Sequence, residues 1–178
     1  TAREPATTSE VPLSFAGDPI VPLSDSEARA LAEANLADAR ALFQSGLKAA
    51  FEGCGEGRNR VSFDRLCDAI TPKVKVKRQD YLSLGAHPIV SQETSLISGY
   101  WNDVTALMGL DEPVVIFGDH TRCLKYVDFD FVVGADGTKV LKPKTGVSAA
   151  YLYFGLRSQP IAEGGYARHF KLLREKSL

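Results

Sequence analysis

Between residues 36 and 50 the apolar positions Leu36, Ala39, Phe43, Leu47 and Ala50 fall 3, 4, 4 and 3 residues apart. That spacing is close to the period of helices that pack along a narrow seam. The stripe sits inside residues 26–52, which are rich in Ala, Leu, Glu, Arg and Lys, contain no proline and have Gly46 as their weak point. Such residues favour one long helix, roughly 40 Å in length at the α-helical rise. Ser24 or Asp25 suits its N-cap, and Glu27 complements the helix dipole. Gly53, Gly55 and Gly57 end it sharply. Residues 1–24 carry Thr, Ser, Pro and Gly with few bulky side chains and read as a flexible or extended lead-in.

After Arg60 the pattern changes. Val61-Ser62-Phe63 opens a compact segment, and residues 64–70 read as one short helix. Lys73-Val74-Lys75-Val76-Lys77 alternates strictly, which predicts a strand with both valines on one face and the lysines on the other. Ile89-Val90, residues 114–117, 126–133 and 139–141 are further strand candidates. Ala135-Asp136-Gly137 is the expected turn between the last two. Residues 149–158 have helical spacing through Tyr151, Leu152, Phe154 and Leu156, and residues 170–173 close the domain. The expected fold is α+β: a mixed, twisted sheet preceded by one long coiled-coil-like helix. The expected divisions are a lead-in at 1–24, a helix with its glycine-rich end at 25–57, and a domain at 58–178.

Composition narrows the class. The chain has 178 residues, 44% hydrophobic and 24% charged, which is the range of folded globular proteins. No run of about 18 apolar residues is present, so no membrane span is expected. No basic segment leads into an apolar core at the N-terminus, so no secretory signal is expected. Cys54, Cys67 and Cys123 make no CxxC pair and no metal-ligand spacing with histidine. Reduced cysteines and a cytoplasmic location are the expectation. The net charge of −1 hides an asymmetry. Residues 1–57 hold 4 basic and 9 acidic residues, a net −5, and residues 58–178 hold 17 and 13, a net +4. Only the second part suits a polyanion.

Four segments carry candidate chemistry. Phe117-Gly118-Asp119-His120-Thr121-Arg122 sets an Asp beside a His after a buried strand. It reads as a polar turn, as an acid–base pair, or as a loop whose His120, Thr121 and Arg122 donate to DNA. Lys73, Lys75 and Lys77, followed by Arg78, form either a solvated strand face or a set of phosphate contacts. Gly164-Gly165-Tyr166-Ala167-Arg168-His169 is a loop with stacking and donor groups, in which Tyr166 could instead cover the core. Ile97-Ser98-Gly99-Tyr100-Trp101-Asn102-Asp103 is an aromatic loop whose tryptophan packs beneath it. Asn102 and nearby Gln92 are side-chain types that pair bidentately with adenine. No GxSxG, P-loop, GxGxxG after a strand, or HExxH occurs.

Together these stretches resemble the specificity (S) subunit of type I restriction–modification systems. Ala34-Asn35-Leu36-Ala37-Asp38-Ala39-Arg40-Ala41-Leu42-Phe43-Gln44-Ser45 is similar to the distal half of that family's spacer helix. Leu66-Cys67-Asp68-Ala69-Ile70 is similar to the opening of its target recognition domain. Val115-Ile116-Phe117-Gly118-Asp119-His120-Thr121-Arg122, Val133-Gly134-Ala135-Asp136-Gly137 and Arg168-His169-Phe170-Lys171-Leu172-Leu173 carry the likeness furthest. It spans about four fifths of the chain, from Ala32 to Leu178.

The resemblance implies a non-catalytic DNA reader. In that family each of two recognition domains reads half of a split sequence. Two antiparallel spacer helices set the distance and dock the modification subunits, which use S-adenosylmethionine to methylate adenine. A restriction subunit adds cleavage. The expected partners are therefore double-stranded DNA, the methyltransferase subunits and the restriction subunit. No cofactor and no metal are expected in this chain. Lys73, Lys75, Lys77 and Arg78 are the expected phosphate contacts. Gln92, Asn102, His120, Thr121, Arg122, Arg168 and His169 are expected nearer the bases. Leu36, Ala39, Phe43, Leu47 and Ala50 form the partner-facing stripe. The chain departs from the family in holding one recognition domain, which leaves open a fragment or a half-subunit that pairs with a second copy through its helix. Two alternatives stand beside this reading: a small enzyme using Asp119 and His120, and an S-subunit fragment that binds its partner without DNA.

Overall fold

A computed structural model describes residues 23–52, 60–161 and 169–178. The expected lead-in up to residue 22, the glycine-rich helix end with Cys54, and residues 164–168 lie outside these. The chain divides into two units, residues 1–39 and 40–178.

The first unit holds the start of helix α1 (Asp25–Glu52). Ser24, the first of the two expected caps, closes it. The Ser24 backbone N–H donates to Glu27 Oε2 at 2.9 Å, and the Glu27 N–H donates to Ser24 Oγ at 3.4 Å. This reciprocal pair satisfies amides that the first helical turn leaves open. The Ser24 hydroxyl, which donates to Glu27 Oε2 at 2.6 Å, and then the Ser24 backbone N–H hold the Glu27 carboxyl below its ordinary pKa.

The second unit is built on two four-stranded sheets. Strands β1 (Cys67–Ile70), β5 (Val114–Gly118), β6 (Leu124–Val127) and β8 (Thr138–Pro143) form one, in the order β1-β8-β5-β6, with every neighbour antiparallel. Strands β2 (His87–Val90), β3 (Gly99–Trp101), β4 (Leu107–Met108) and β7 (Phe131–Val133) form the other, in the order β3-β2-β7-β4. Its β2–β7 pair is parallel. Helices α2 (Phe63–Leu66), α3 (Ala149–Ser158) and α4 (Phe170–Arg174) complete the unit. The α+β class expected from the pattern is the class observed.

Alternation along the strands sorts the side chains into layers. Val115 and Phe117 of β5 join Leu141, Leu152, Leu156 and Leu173 in a core between the first sheet and the helices. Val114 and Ile116 point the other way, with Val140, and meet Val90, Phe131 and Val133 of the second sheet. Val132, Ile89, Val76 and Ala106 form a third cluster, against which Tyr81, Trp101 and Leu107 pack. Residues 114–117 are apolar throughout because β5 is covered on both faces. Burying side chains of this size contributes about 1.5–3 kcal/mol each.

Five expectations are corrected. Residues 73–77 form no strand. Val76 alone makes a one-residue bridge to Gly134 and is 5% exposed, whereas Val74 is 42% exposed. Alternation supplies a face, but a ladder also needs a partner edge of matching length. Residues 64–70 are not one helix, because Cys67 leaves α2 to pair along β8 opposite Pro143. Residues 126–133 break at 128–130 into β6 and β7, which enter different sheets. Residues 135–137 are therefore no hairpin turn but the crossing from one sheet to the other. Tyr100 and Trp101 belong to β3 and not to a loop, although Trp101 does pack inward.

The partner-facing stripe is divided. In the first unit Leu36 is 50% exposed. In the second, the Phe43 ring lies 6.3 Å from that of Phe154, and Phe51 lies 5.4 Å from Tyr151, so the end of α1 leans on α3 of its own domain. Leu47 is half-buried, and Ala39 and Ala50 are exposed.

Cys67 is buried, and desolvation, reinforced by Asp68 and Asp64, pushes its thiol up to about 12. Its thiolate fraction at pH 8 is therefore on the order of one in ten thousand. Iodoacetamide at pH 8 followed by peptide mass mapping should modify half-buried Cys123 and leave Cys67 intact until the protein is unfolded in urea.

Candidate nucleic-acid interface

Three polar segments are drawn together where the two sheets meet. The first follows β2 and carries Gln92. It is held by Lys125 of β6, whose side chain is buried and donates to the carbonyls of Ser91 at 2.8 Å and Ser95 at 2.5 Å. Burial draws the Lys125 pKa down, and the two carbonyls supply what the lost water would have.

The second segment is the turn between β5 and β6. The Gly118 N–H donates to Cys123 O at 2.9 Å, and the Arg122 N–H donates to Gly118 O at 2.8 Å. Arg122 turns the corner at φ 61°, in the left-handed region. Gln92 braces this turn twice. Its Oε1 accepts the His120 N–H at 3.2 Å, and its carbonyl accepts the Thr121 hydroxyl at 2.5 Å.

The third segment is the crossing at 134–138. The Asp119 N–H donates to Gly137 O at 2.8 Å. Gly137 has φ +76°, and a Cβ there would stand 2.7 Å from Gln92 Oε1 and 2.8 Å from His120 Cδ2. Only glycine allows the crossing to run this close.

These segments and residues 77–79 line an open cleft of about 1400 Å³. Of the residues singled out from the sequence, the cleft collects Lys77, Arg78, Gln92, His120 and Thr121. It adds Lys139, whose ammonium lies 5.3 Å from the Phe170 ring centroid. Lys75 is anchored beside it, donating to Thr138 O at 3.0 Å, and its pKa is lowered by burial and then by Lys139.

The other expected residues lie elsewhere. Lys73 is exposed and does not line the cleft. Asn102 is likewise apart, its Oδ1 accepting the Ala86 N–H at 3.0 Å, so its amide is not free to pair bidentately with adenine. The same restriction applies to Gln92, whose Oε1 is already engaged. Arg122 turns toward a separate hollow with Arg157 and Tyr153, donating to Ile161 O at 3.2 Å. His169 is 2% exposed and cannot reach a ligand; its Nδ1 donates to Asp119 O at 2.9 Å. Arg168 lies outside the described residues.

Asp119 is a structural carboxylate. It is 5% exposed, and its Oδ1 accepts the Phe170 N–H at the start of α4 at 2.8 Å. Glu93 and Asp136 also line the cleft. Among the described residues Lys77, Arg78 and Lys139 thus face Glu93, Asp119 and Asp136, three cations against three carboxylates. Sequence reasoning missed Glu93, Asp136 and Lys139. A search for phosphate contacts passes over carboxylates, and Lys139 sits inside an apolar strand. Its signal was the Asp136-Gly137 turn two residues earlier. Among the described residues no group of three or more His, Cys, Asp and Glu is placed to hold a metal, and no helix is long and apolar enough to cross a membrane.

No family model matches the chain. The chain is 30% identical over 103 residues to the specificity subunit of the type I restriction enzyme EcoR124I/EcoR124II from Escherichia coli, a match covering 55% of this chain and 26% of that protein. It thus spans about a quarter of the curated relative. A chain in a solved structure of a type I R-M system superposes with a TM-score of 0.62 at 14% identity, covering 86% of this chain and 42% of its own. The HsdS subunit from Thermoanaerobacter tengcongensis gives 0.46 at 15% identity, covering 85% and 41%. The fold is that of the first of these structures, and the likeness to a type I specificity subunit read from the sequence is borne out.

Two substitutions probe how the cleft is held. Lys125→Met strands the Ser91 and Ser95 carbonyls and should cost about 1–3 kcal/mol, seen as a lowered Tm. Gly137→Ala forces a side chain into the left-handed region and should cost roughly 1–2 kcal/mol before the contact with Gln92 is counted. Urea denaturation should place both well below wild type.

Proposed function

We propose that residues 58–178 form a target recognition domain that reads one half-site of double-stranded DNA for a type I restriction–modification complex. The observation that carries this reading is the cleft, which brings Lys77, Arg78, Gln92, His120, Thr121 and Lys139 from four chain segments to one surface. Lys77, Arg78 and Lys139 suit phosphate oxygens, and His120 and Thr121 are the candidates for a base edge, Thr121 as an acceptor because its hydroxyl donates to Gln92 O. Gln92, braced through Oε1, offers its amide NH2 as a donor only, which suits an acceptor such as guanine O6 or thymine O4. Lys73 and Asn102 are set aside by their position, and His169 by its burial.

In this reading the chain performs no chemistry of its own. Asp119 anchors the start of α4 through Oδ1, which favours a structural role for it over the alternative of an Asp119–His120 enzyme. S-adenosylmethionine binds the methyltransferase subunits, and the complex works in the cytoplasm with the restriction subunit. Leu36, exposed on α1 and part of the expected stripe, favours a helical partner, either a methyltransferase subunit or a second copy of this chain.

Random-site selection on the chain together with its methyltransferase subunits should enrich a motif of a few base pairs. No enrichment at low salt would leave only the partner-binding reading. Lys77→Ala and Lys139→Ala should each flatten the dependence of log affinity on log salt by about 0.9. Sedimentation of the chain alone should reveal a dimer at high concentration if α1 pairs with a second copy.

A further inference from the structure

Arg78 opens a short 3-10 turn, Arg78–Asp80, and its side chain is 81% exposed. Its Nε nevertheless donates to Glu93 Oε1 at 2.9 Å. Glu93 is the more rigid partner. Its side chain is 33% exposed, and its backbone N–H donates to Ser91 Oγ at 3.2 Å, within the loop that Lys125 clamps. The Glu93 carboxylate therefore occupies the Nε donor of the guanidinium, one that a phosphate oxygen would otherwise take. Carboxylate and phosphate use the same guanidinium geometry.

We infer that Glu93 is a specificity-determining residue that keeps Arg78 from the phosphates of unrelated DNA. The inference rests on the DNA-reading function proposed above. The charge of the cleft supports it: among the described residues three carboxylates stand against three cations, so these side chains do not favour every polyanion that arrives. On an arbitrary duplex, moving Arg78 onto a phosphate leaves the Glu93 carboxylate uncompensated near a polyanion, so the contact is not made. On the cognate half-site a base amino group, from cytosine N4 or adenine N6, faces Glu93 and accepts the exchange. A repulsive element against the wrong partner thereby adds discrimination that cationic contacts alone cannot supply. Arg78–Glu93 is a solvent-exposed pair, and such pairs are weak enough to exchange.

The test measures binding of the full chain to a short duplex of arbitrary sequence across a salt series, by fluorescence anisotropy. Glu93→Gln should raise this affinity about three- to tenfold and steepen the log–log salt slope by about 0.9, one phosphate more. In an Arg78→Ala background the same substitution should change affinity less than twofold. Glu112→Gln, an equal change of charge at an exposed position outside the cleft, should also change it less than twofold. An equal gain with and without Arg78, or one no larger than that of Glu112→Gln, overturns the inference while the DNA-reading function stands. Failure of every form to bind duplex at low salt, together with no enrichment in site selection, overturns both. Glu93→Ser replaces the glutamine variant if that variant does not fold, and the same outcomes apply.

Discussion

Strand β5 leaves no face for water. Val115 and Phe117 pack on the helix layer, Val114 and Ile116 pack on the second sheet, and β8 and β6 take its two edges. A strand enclosed in this way can only end where the layers end. Its last residue, Gly118, therefore emerges at the junction of both sheets, and the residues after it must be polar and turned back sharply. The cleft lies there because β5 terminates there.

The second sheet then meets that turn from the side. Lys125 has its ammonium pinned by two loop carbonyls, and the pinned loop presents Gln92 to the turn. The Gln92 amide oxygen faces the His120 N–H, a group that can only donate, so its orientation is set by chemistry. This is preorganisation by the backbone. The site-facing groups are held before any ligand arrives, which lowers the ordering cost of binding.

The balance of charge in the cleft distinguishes it from a simple basic patch. Long-range attraction of a polyanion needs a net positive field, and among the described residues of the cleft carboxylates offset the cations one for one. Affinity in such a site depends on short-range fit more than on steering. That fits the sequence-reading role proposed for the cleft.

Much of the architecture was legible in the residue pattern. The helix from Asp25, the helix over 149–158 and the buried run at 114–117 follow from spacing, because periodicity is a property of neighbouring residues. The turn holding His120 and Thr121 was also found, since it follows directly from the end of that run. What the pattern could not supply were the partners. Whether 73–77 becomes a strand depends on how far the edge beside Val76 extends, and whether 126–133 is one strand or two depends on which sheet receives each half. Likewise, His169 and Lys125 look like surface residues by type. Each is buried because carbonyls distant in sequence, at Asp119 for one and at Ser91 and Ser95 for the other, satisfy it. Local pattern decides what a segment can form, and long-range pairing and desolvation decide which polar groups remain for a ligand.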